Sequence, residues 1–487
     1  MTSYLVMLQT NSNQPFIFSS PRLREQIGAS FEITLLSHWV TKAVQGLSSR
    51  NRRGKSKRRT DFWVSDSSGK VIVRFTQKEG EPGDLAKKLI TRVTRRALTD
   101  APGLDVTGVF IETSSGPVNP ADLERLDREF SEYSLNRRPA SARFPQLPFL
   151  QRAEESALPA STPLTDEDER NIRELAKDLG VPLLADRDRE EQIPTQTGKD
   201  KGRSLSLPSR VKRAWSRSAR RLQLKDVIEC QDSTLSEEEV RDRIANLNED
   251  PFQLEKAFQQ TPDEDDAEKE VPELASVGII HIDGNGVGAI MRDLGEAFKK
   301  TNNTLDRLAK ALYLRKPNPC GKKPPRVRPY GRKPPRFQWF VMEVNYRLDG
   351  VVKAAVAAAW KDVEGYALGL QAPPVVPVLV GGDDVTVYTD GRYAIPFAEA
   401  YIRHYERLTG KDDLLRELAV IAGAPKPGSL TASAGVAIVG RNFPFHIAYD
   451  LAEGLVERGK KLGKKKDAVP CSTIDFHVLR DTTVLDP

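Results

Sequence analysis

Two stretches of the chain carry periodic apolar patterns, and a long charged stretch separates them. In the first, Tyr4–Thr10 reads as a strand, Arg22–Val44 as a helix, and Phe62–Phe75 as a hairpin turning at Ser67-Ser68-Gly69. A helix over Asp84–Leu98 and a strand over Leu104–Ile111 complete it. The second begins with the short apolar strand Gly278–Asp283, followed by helical spacing of Val287, Ile290, Met291, Leu294 and Phe298. A long helix over Phe340–Trp360 leads to an apolar run, Val378–Tyr388, broken at Gly381-Gly382-Asp383-Asp384. Then come a helix over Ala394–Leu408, a small-residue strand over Ser429–Val439, a helix over Phe445–Lys461 and a strand over Ser472–Val478.

The second order, β, α, β-hairpin, α, β and a final strand, is that of a ferredoxin-like palm. The first stretch repeats it in weaker form. The fold class expected is therefore α+β, with a degenerate palm over residues 1–150, a charged helical connector over 151–272, and a catalytic palm over 273–487. A basic, proline-rich insertion interrupts the last at about 313–338. In the connector, Thr165-Asp166-Glu167-Asp168 opens a helix that Gly180 can end, and Ser236-Glu237-Glu238-Glu239 has capping-box spacing. The basic stretch Lys199–Lys225 and the acidic Asp263–Asp266 read as solvated linker and mobile charged loops.

Chemistry enters through acids at strand ends. Adjacent Asp383 and Asp384 repel each other and lose hydration when partly enclosed, so a fold that places them on a hairpin tip supplies a cation, most often Mg²⁺. A tight turn is the plain alternative, since Gly381 and Gly382 permit positive φ and Asp is a common turn residue. Asp283 ends another apolar strand, and Gly284, Asn285, Gly286 and Gly288 let the backbone after it turn and approach a ligand. Asp283, Asp383 and Asp384 are thus expected to hold two Mg²⁺ (or Mn²⁺) ions, which suit activation of a 3′ hydroxyl and departure of pyrophosphate.

These residues resemble the palm polymerase and cyclase superfamily, which includes the GGDEF diguanylate cyclases and the CRISPR type III large-subunit polymerases. The Gly-Gly-Asp-Asp form looks like the CRISPR branch. The resemblance implies that Asp283, Asp383 and Asp384 bind two metals and that ATP is joined into a cyclic oligoadenylate. Thr431–Gly435, including Ser433, matches the Thr-x-Ser-x-Gly strand of both branches, and the lysine-rich run 459–466, with Lys460 and Lys464, lies where the family places a triphosphate lysine. Asn285 departs from the pattern, since an acid is common there. The family also carries two palms, with nucleotides bound between them. Phe18–Ser30 resembles its segment entering the first-palm helix, which offers Ser19, Ser20, Arg22, Arg24 and Ser30 as nucleotide contacts, with helix capping by Ser19 and Ser20 as the structural alternative. The first palm is expected to be silent, because Thr10-Asn11-Ser12-Asn13 stands where an aspartate is needed and its hairpin offers only Asp66.

Composition narrows the partners. The 487 residues carry a net charge of +6, no apolar stretch of membrane-span length and no signal-like N-terminus, so a cytoplasmic protein is expected. Cys230, Cys320 and Cys471 lie far apart without a Cys-x-x-Cys pair and read as three thiols. None of the five histidines is followed by aspartate, against an HD nuclease centre. That domain, a zinc-binding segment and a helical C-terminal domain are all expected to be missing, which favours a stand-alone synthase over docking in a CRISPR effector complex. The basic segments 48–60 and 315–336, the latter with nine basic residues and seven prolines, suit RNA or another nucleic-acid activator. Nucleoside triphosphates and CRISPR or other defence proteins are the remaining partners expected. A cyclic dinucleotide cyclase, and a nucleic-acid-binding subunit with a structural palm, are the competing readings.

Overall fold

The computed structural model describes residues 2–48, 63–67, 69–77, 83–114, 116–136, 149–185, 191–192, 198–259, 274–301, 320, 336–366, 374–424, 428–441, 443–463 and 471–479. Lys464, nearly all of both basic segments and the acidic 263–266 lie outside these residues.

The first unit runs β1 (Thr2–Asn11), α1 (Asn13–Phe18), α2 (Leu23–Ser48), β2 (Trp63–Ser67), β3 (Lys70–Gln77), α3 (Asp84–Asp100), β4 (Asp105–Thr113) and α4 (Pro120–Asn136). Its strands form an antiparallel sheet in the order β2-β3-β1-β4. Every residue from Tyr4 to Leu8 is buried, because both faces of β1 are covered, so the strand reads as a continuous apolar run rather than an alternation.

The middle of the chain forms α5 (Asp166–Asp178), a two-residue pairing of β5 (Leu184–Ala185) with β6 (Glu191–Gln192), α6 (Gly198–Gly202), α7 (Leu207–Gln231), α8 (Glu237–Ala245) and α9 (Pro251–Phe258). Both expected helix starts are there: Thr165 with Asp168, and Ser236 with Glu239, make reciprocal capping boxes. The expectation of a solvated basic linker over Lys199–Lys225 is overturned. Helix α7 lies inside the molecule, with Arg210, Lys212, Arg213, Arg220 and Arg221 all buried. Arg213 shows why this is tolerated: its guanidinium donates to Glu25 (2.7 Å), Asp200 (2.9 Å) and Glu155 (2.5 Å), acids contributed by three different segments.

The second unit runs β7 (Val277–Asn285), α10 (Val287–Arg292), α11 (Leu294–Lys300), α12 (Arg336–Tyr366), β8 (Val375–Gly381), β9 (Asp384–Asp390), α13 (Gly391–Lys411), α14 (Asp413–Ile421), β10 (Thr431–Val439), α15 (Phe445–Gly463) and β11 (Thr473–Val478). Its sheet has the order β11-β10-β7-β9-β8, antiparallel except for the β10–β11 pair. With β11 set aside, this is the order of the first sheet, β7 to β10 standing for β1 to β4. The helical spacing of Val287, Ile290, Met291, Leu294 and Phe298 is divided between two helices that meet at Asp293. Its backbone leaves helical geometry and its carboxylate caps α11 by accepting from the Glu296 N–H at 3.0 Å, so local capping prevails over apolar spacing.

The two units share their cores. Ile280 and Ile282 of β7 face α12 and α13, in an apolar cluster that also holds Leu5 and Met7 of β1. Val277 and Ile279 face α15, in a cluster that continues into α2 and α3. Each hairpin is bulged at the same place, and each bulge carbonyl is taken from elsewhere: Gln338 of α12 donates to Trp63, and Gln223 of α7 donates to Pro377 at 2.8 Å. Cys230, at the end of α7, and Cys320 are joined in a disulfide, correcting the expectation of three thiols; Cys471 is free and exposed. Their separation of 90 residues conceals a proximity that only tertiary packing creates.

Candidate active site

Pairing between β7 and β9 sets Asp283 directly opposite Asp384, while β10 sets Ser433 opposite Asp283 on its other side. Opposed residues of an antiparallel pair project to one face. Here it is the face of Ile279 and Tyr388, over which α15 lies. The turn between β8 and β9 consists of Gly382 and Asp383, flanked by the opposed pair Gly381 and Asp384; Gly382 takes φ +64°, which favours glycine. The Gly284 N–H donates to the Asp383 carbonyl at 3.2 Å, tying the turn to the end of β7. All three aspartates therefore sit at one end of the central β7–β9 pair.

Helix α15 packs close to this end of the sheet because β10 carries glycine where the two touch. A Cβ on Gly435 would lie 2.0 Å from the Ala452 carbonyl oxygen. The close crossing brings the last turn of α15 over β7, and Lys460 there makes an ion pair with Asp283 and a second with Glu457 at 3.1 Å. Tyr449, Glu453 and Glu457, spaced by four, line the same helix face. Tyr449 stacks on Phe18 of α1 at 3.8 Å and meets the His281 ring edge-on at 5.2 Å, so the first unit borders the site.

The electrostatics are those of crowded carboxylates. Burial, reinforced by Asp383 and Asp283, pushes the Asp384 carboxyl up to about 7 against the opposing Lys460. Burial and Asp283 also raise Asp383. Burial lowers Lys460, but the hydrogen bond and charge of Asp283 outweigh it and the ammonium is held above its ordinary value. Burial takes His281 down to about 4, leaving a neutral ring whose Nδ1 is 3.0 Å from the Thr386 hydroxyl. Among the described residues, no group of three or more His, Cys, Asp or Glu side chains is gathered to hold a metal ion. Asp283 is turned to Lys460 instead. The donors nevertheless have the right chemistry, being carboxylates of which two are pushed up by burial and by neighbouring acids.

Other expected site residues fall into two groups. Ser433 is fully buried, donating to the Asn285 side-chain oxygen at 3.1 Å and accepting from Thr473 at 3.0 Å, while the Asn285 amide donates to Thr431 at 3.2 Å. They staple β7, β10 and β11 together. Gly286, with φ +82°, starts α10, and nothing lies within 4 Å of where a Gly288 Cβ would be. In the first unit, Ser20 accepts from the Arg22 N–H at 3.1 Å in the turn before α2, and Ser19 is the C-terminal cap of α1. Arg22 is paired with Glu155 at 2.6 Å, Arg24 with Glu255 at 3.3 Å and Asp200 at 3.4 Å, and Ser30 is buried within α2.

Registers locate what the first unit has in place of the acids. Gln9 opposes Lys70 as Asp283 opposes Asp384, and Gly69 takes the turn position of Asp383. Lys70 pairs with Asp127 of α4 at 2.9 Å. Asn11 stands for Asn285, and its amide donates to Thr107, the counterpart of Ser433, at 2.9 Å. The staple recurs where the acids do not. Periodicity alone did not single out Tyr405, Tyr449, Glu453 or Glu457; the last three share a spacing of four that gains meaning once α15 lies on the sheet.

Residues 332–470 match the family described as Cas10/Cmr2, second palm domain. No curated protein sequence matches the chain. Among solved structures, the chain is similar to the Csm1–Csm4 cassette in complex with cA4, at 12% identity and a TM-score of 0.46, covering 95% of this chain and 53% of that one. The apo Csm1–Csm4 cassette gives 12%, 0.48, 95% and 53%. The type III-B Cmr-beta complex bound to cognate target RNA gives 12%, 0.46, 94% and 68%. The chain spans about half the length of the Csm1–Csm4 cassette chains it matches.

Proposed function

We propose, from the match of residues 332–470 to the Cas10/Cmr2 second palm domain, that the chain is a metal-dependent nucleotidyltransferase with one live centre. In this reading it joins ATP by 3′ to 5′ phosphodiester bonds into a cyclic oligonucleotide, in antiviral defence signalling. In this reading the two sheets of like strand order are two ferredoxin-like palms, the second of them catalytic, and the shared order supports it. One observation carries the reading: Asp283, Asp383 and Asp384 share one end of the β7–β9 pair beside Lys460, whereas the matching end of the β1–β3 pair holds Gln9, Gly69 and Lys70.

Asp283, Asp383 and Asp384 would hold Mg²⁺ or Mn²⁺, which when bound acidifies an attacking hydroxyl and neutralises charge on the triphosphate. Lys460 holds Asp283 in the nucleotide-free protein and exchanges it for a phosphate oxygen, two partners of the same charge type. Tyr449 and Phe18 wall the site on the side of the first unit. Adenine as the base and a cyclic product rest on the family resemblance. Target RNA or another nucleic acid and defence-system proteins are the partners this reading implies. No described helix is long and apolar enough to cross a membrane.

Incubating the protein with each NTP and Mg²⁺ or Mn²⁺, with and without RNA, and weighing the products tests this. An oligoadenylate made by the native protein and lost in both Asp383→Ala and Asp384→Ala is expected. No pyrophosphate from any NTP would sink the synthase and favour a binding subunit with an idle palm, a reading to which the Lys460–Asp283 pair lends some weight. A dinucleotide mass would instead identify the diguanylate-type alternative.

A further inference from the structure

Directly beneath the turn that holds Asp383 lies a phenol without a partner. Tyr405, on α13, is buried, and its hydroxyl is a buried polar atom with no hydrogen bond. Buried hydroxyls are normally satisfied, so an orphan beside a functional site asks for an explanation in another state of that site. Its position is specific: the hydroxyl lies 3.2 Å from where a Gly284 Cβ would be, and the Asp383 Cβ lies 3.1 Å from the same point. A tyrosine hydroxyl carries its proton at neutral pH and can donate it to a carboxylate. Nor is the helix free to withdraw it. One turn on, Thr409 donates to the Tyr405 carbonyl at 2.9 Å and accepts from the Leu430 N–H at 3.1 Å, fixing α13 to the chain just before β10.

Building on the nucleotidyltransferase reading, we infer that Tyr405 is the positioning residue for Asp383: its hydroxyl donates to the Asp383 carboxylate when that carboxylate takes a divalent cation, and is left unpaired when the cation is absent. A carboxylate ligand whose second oxygen is held by a fixed donor has one orientation rather than several, which is how groups behind a metal's ligands raise its affinity. The geometry gives opposite signs to the two states. Removing the oxygen takes away an unsatisfied buried atom from the cation-free protein but a ligand-orienting bond from the loaded one.

The test uses the full chain stripped with EDTA and titrated with Mn²⁺ alone, free Mn²⁺ being read by electron paramagnetic resonance and unfolding by thermal melting. Tyr405→Phe is expected to weaken Mn²⁺ binding by about 10- to 100-fold, while its melting temperature in EDTA equals or exceeds that of the native protein. Asp383→Ala is expected to weaken binding at least as much. If Tyr405→Phe binds Mn²⁺ as the native protein does, or loses as much stability in EDTA as in Mn²⁺, the hydroxyl has no positioning role and the inference falls alone. If the native protein shows no Mn²⁺ binding that depends on Asp383, the metal-site reading fails and takes this inference with it.

Discussion

Asp384 is the residue whose environment most directly predicts a measurable property. Its carboxyl sits near 7 in the folded chain because burial, Asp383 and Asp283 all oppose ionisation. A carboxyl raised on folding stabilises fully below its unfolded pKa, near 4, and that contribution disappears as pH climbs through the folded value. With EDTA present, the melting temperature should therefore fall between pH 5 and pH 8, reflecting a few kcal/mol at about 1.4 kcal/mol per pKa unit. Asp384→Asn, which cannot ionise, should flatten most of that slope and be the more stable protein at pH 8, with Asp383 supplying the remainder. Equal slopes in the two proteins would mean that Asp384 is not under the pressure the geometry assigns it. The three aspartates were legible because an acid between an apolar strand and glycines is a local pattern, readable within ten residues. Asn285 was legible only as a departure. Its role as a staple rests on Thr431 and Ser433, more than 140 residues away, and on the parallel Asn11–Thr107 bond that only strand registers reveal.

At the scale of elements, periodicity placed the strands and the longest helices of the two units, because each has one face on a sheet or core and repeats accordingly, but it left α1, α4 and α14 unread. It misplaced α7. A helix with Arg210, Lys212, Arg213, Arg217, Arg220 and Arg221 presents the polarity of a solvated linker, and nothing local reveals the acids that neutralise it. Glu25 lies 188 positions away and Glu155 lies 58. Such a helix belongs in an interior only if its charges are matched there, and the matching defines a test. Arg213→Ala leaves Glu25, Asp200 and Glu155 facing one another in a buried site without their shared cation. Loss of one partner from a buried ionic network costs about 3–5 kcal/mol, and urea denaturation should show a loss of that size. A change below about 1 kcal/mol would indicate that water reaches the network, as for an exposed pair.

For the whole molecule, the question is whether two units with the same sheet order behave as two domains. The packing argues against independence. Both apolar clusters cross from one unit to the other, Asn345 of α12 donates to Ser65 of β2 at 2.8 Å, and Phe18 of α1 stacks on Tyr449 beside His281. Neither unit can expose its partner-facing side without uncovering apolar core, and cooperative unfolding follows when most core contacts are shared. Calorimetry should accordingly show one transition. Phe18→Ala removes a buried aromatic ring at the border, where truncation costs about 3–5 kcal/mol; it should lower that single transition as a whole and reduce the nucleotidyl transfer proposed above, although Phe18 lies on the unit that lacks the three clustered aspartates. Two resolved transitions, of which only one moves in Phe18→Ala, would show instead that the second unit holds its site together unaided. The first unit would then be an appendage rather than a wall of the site.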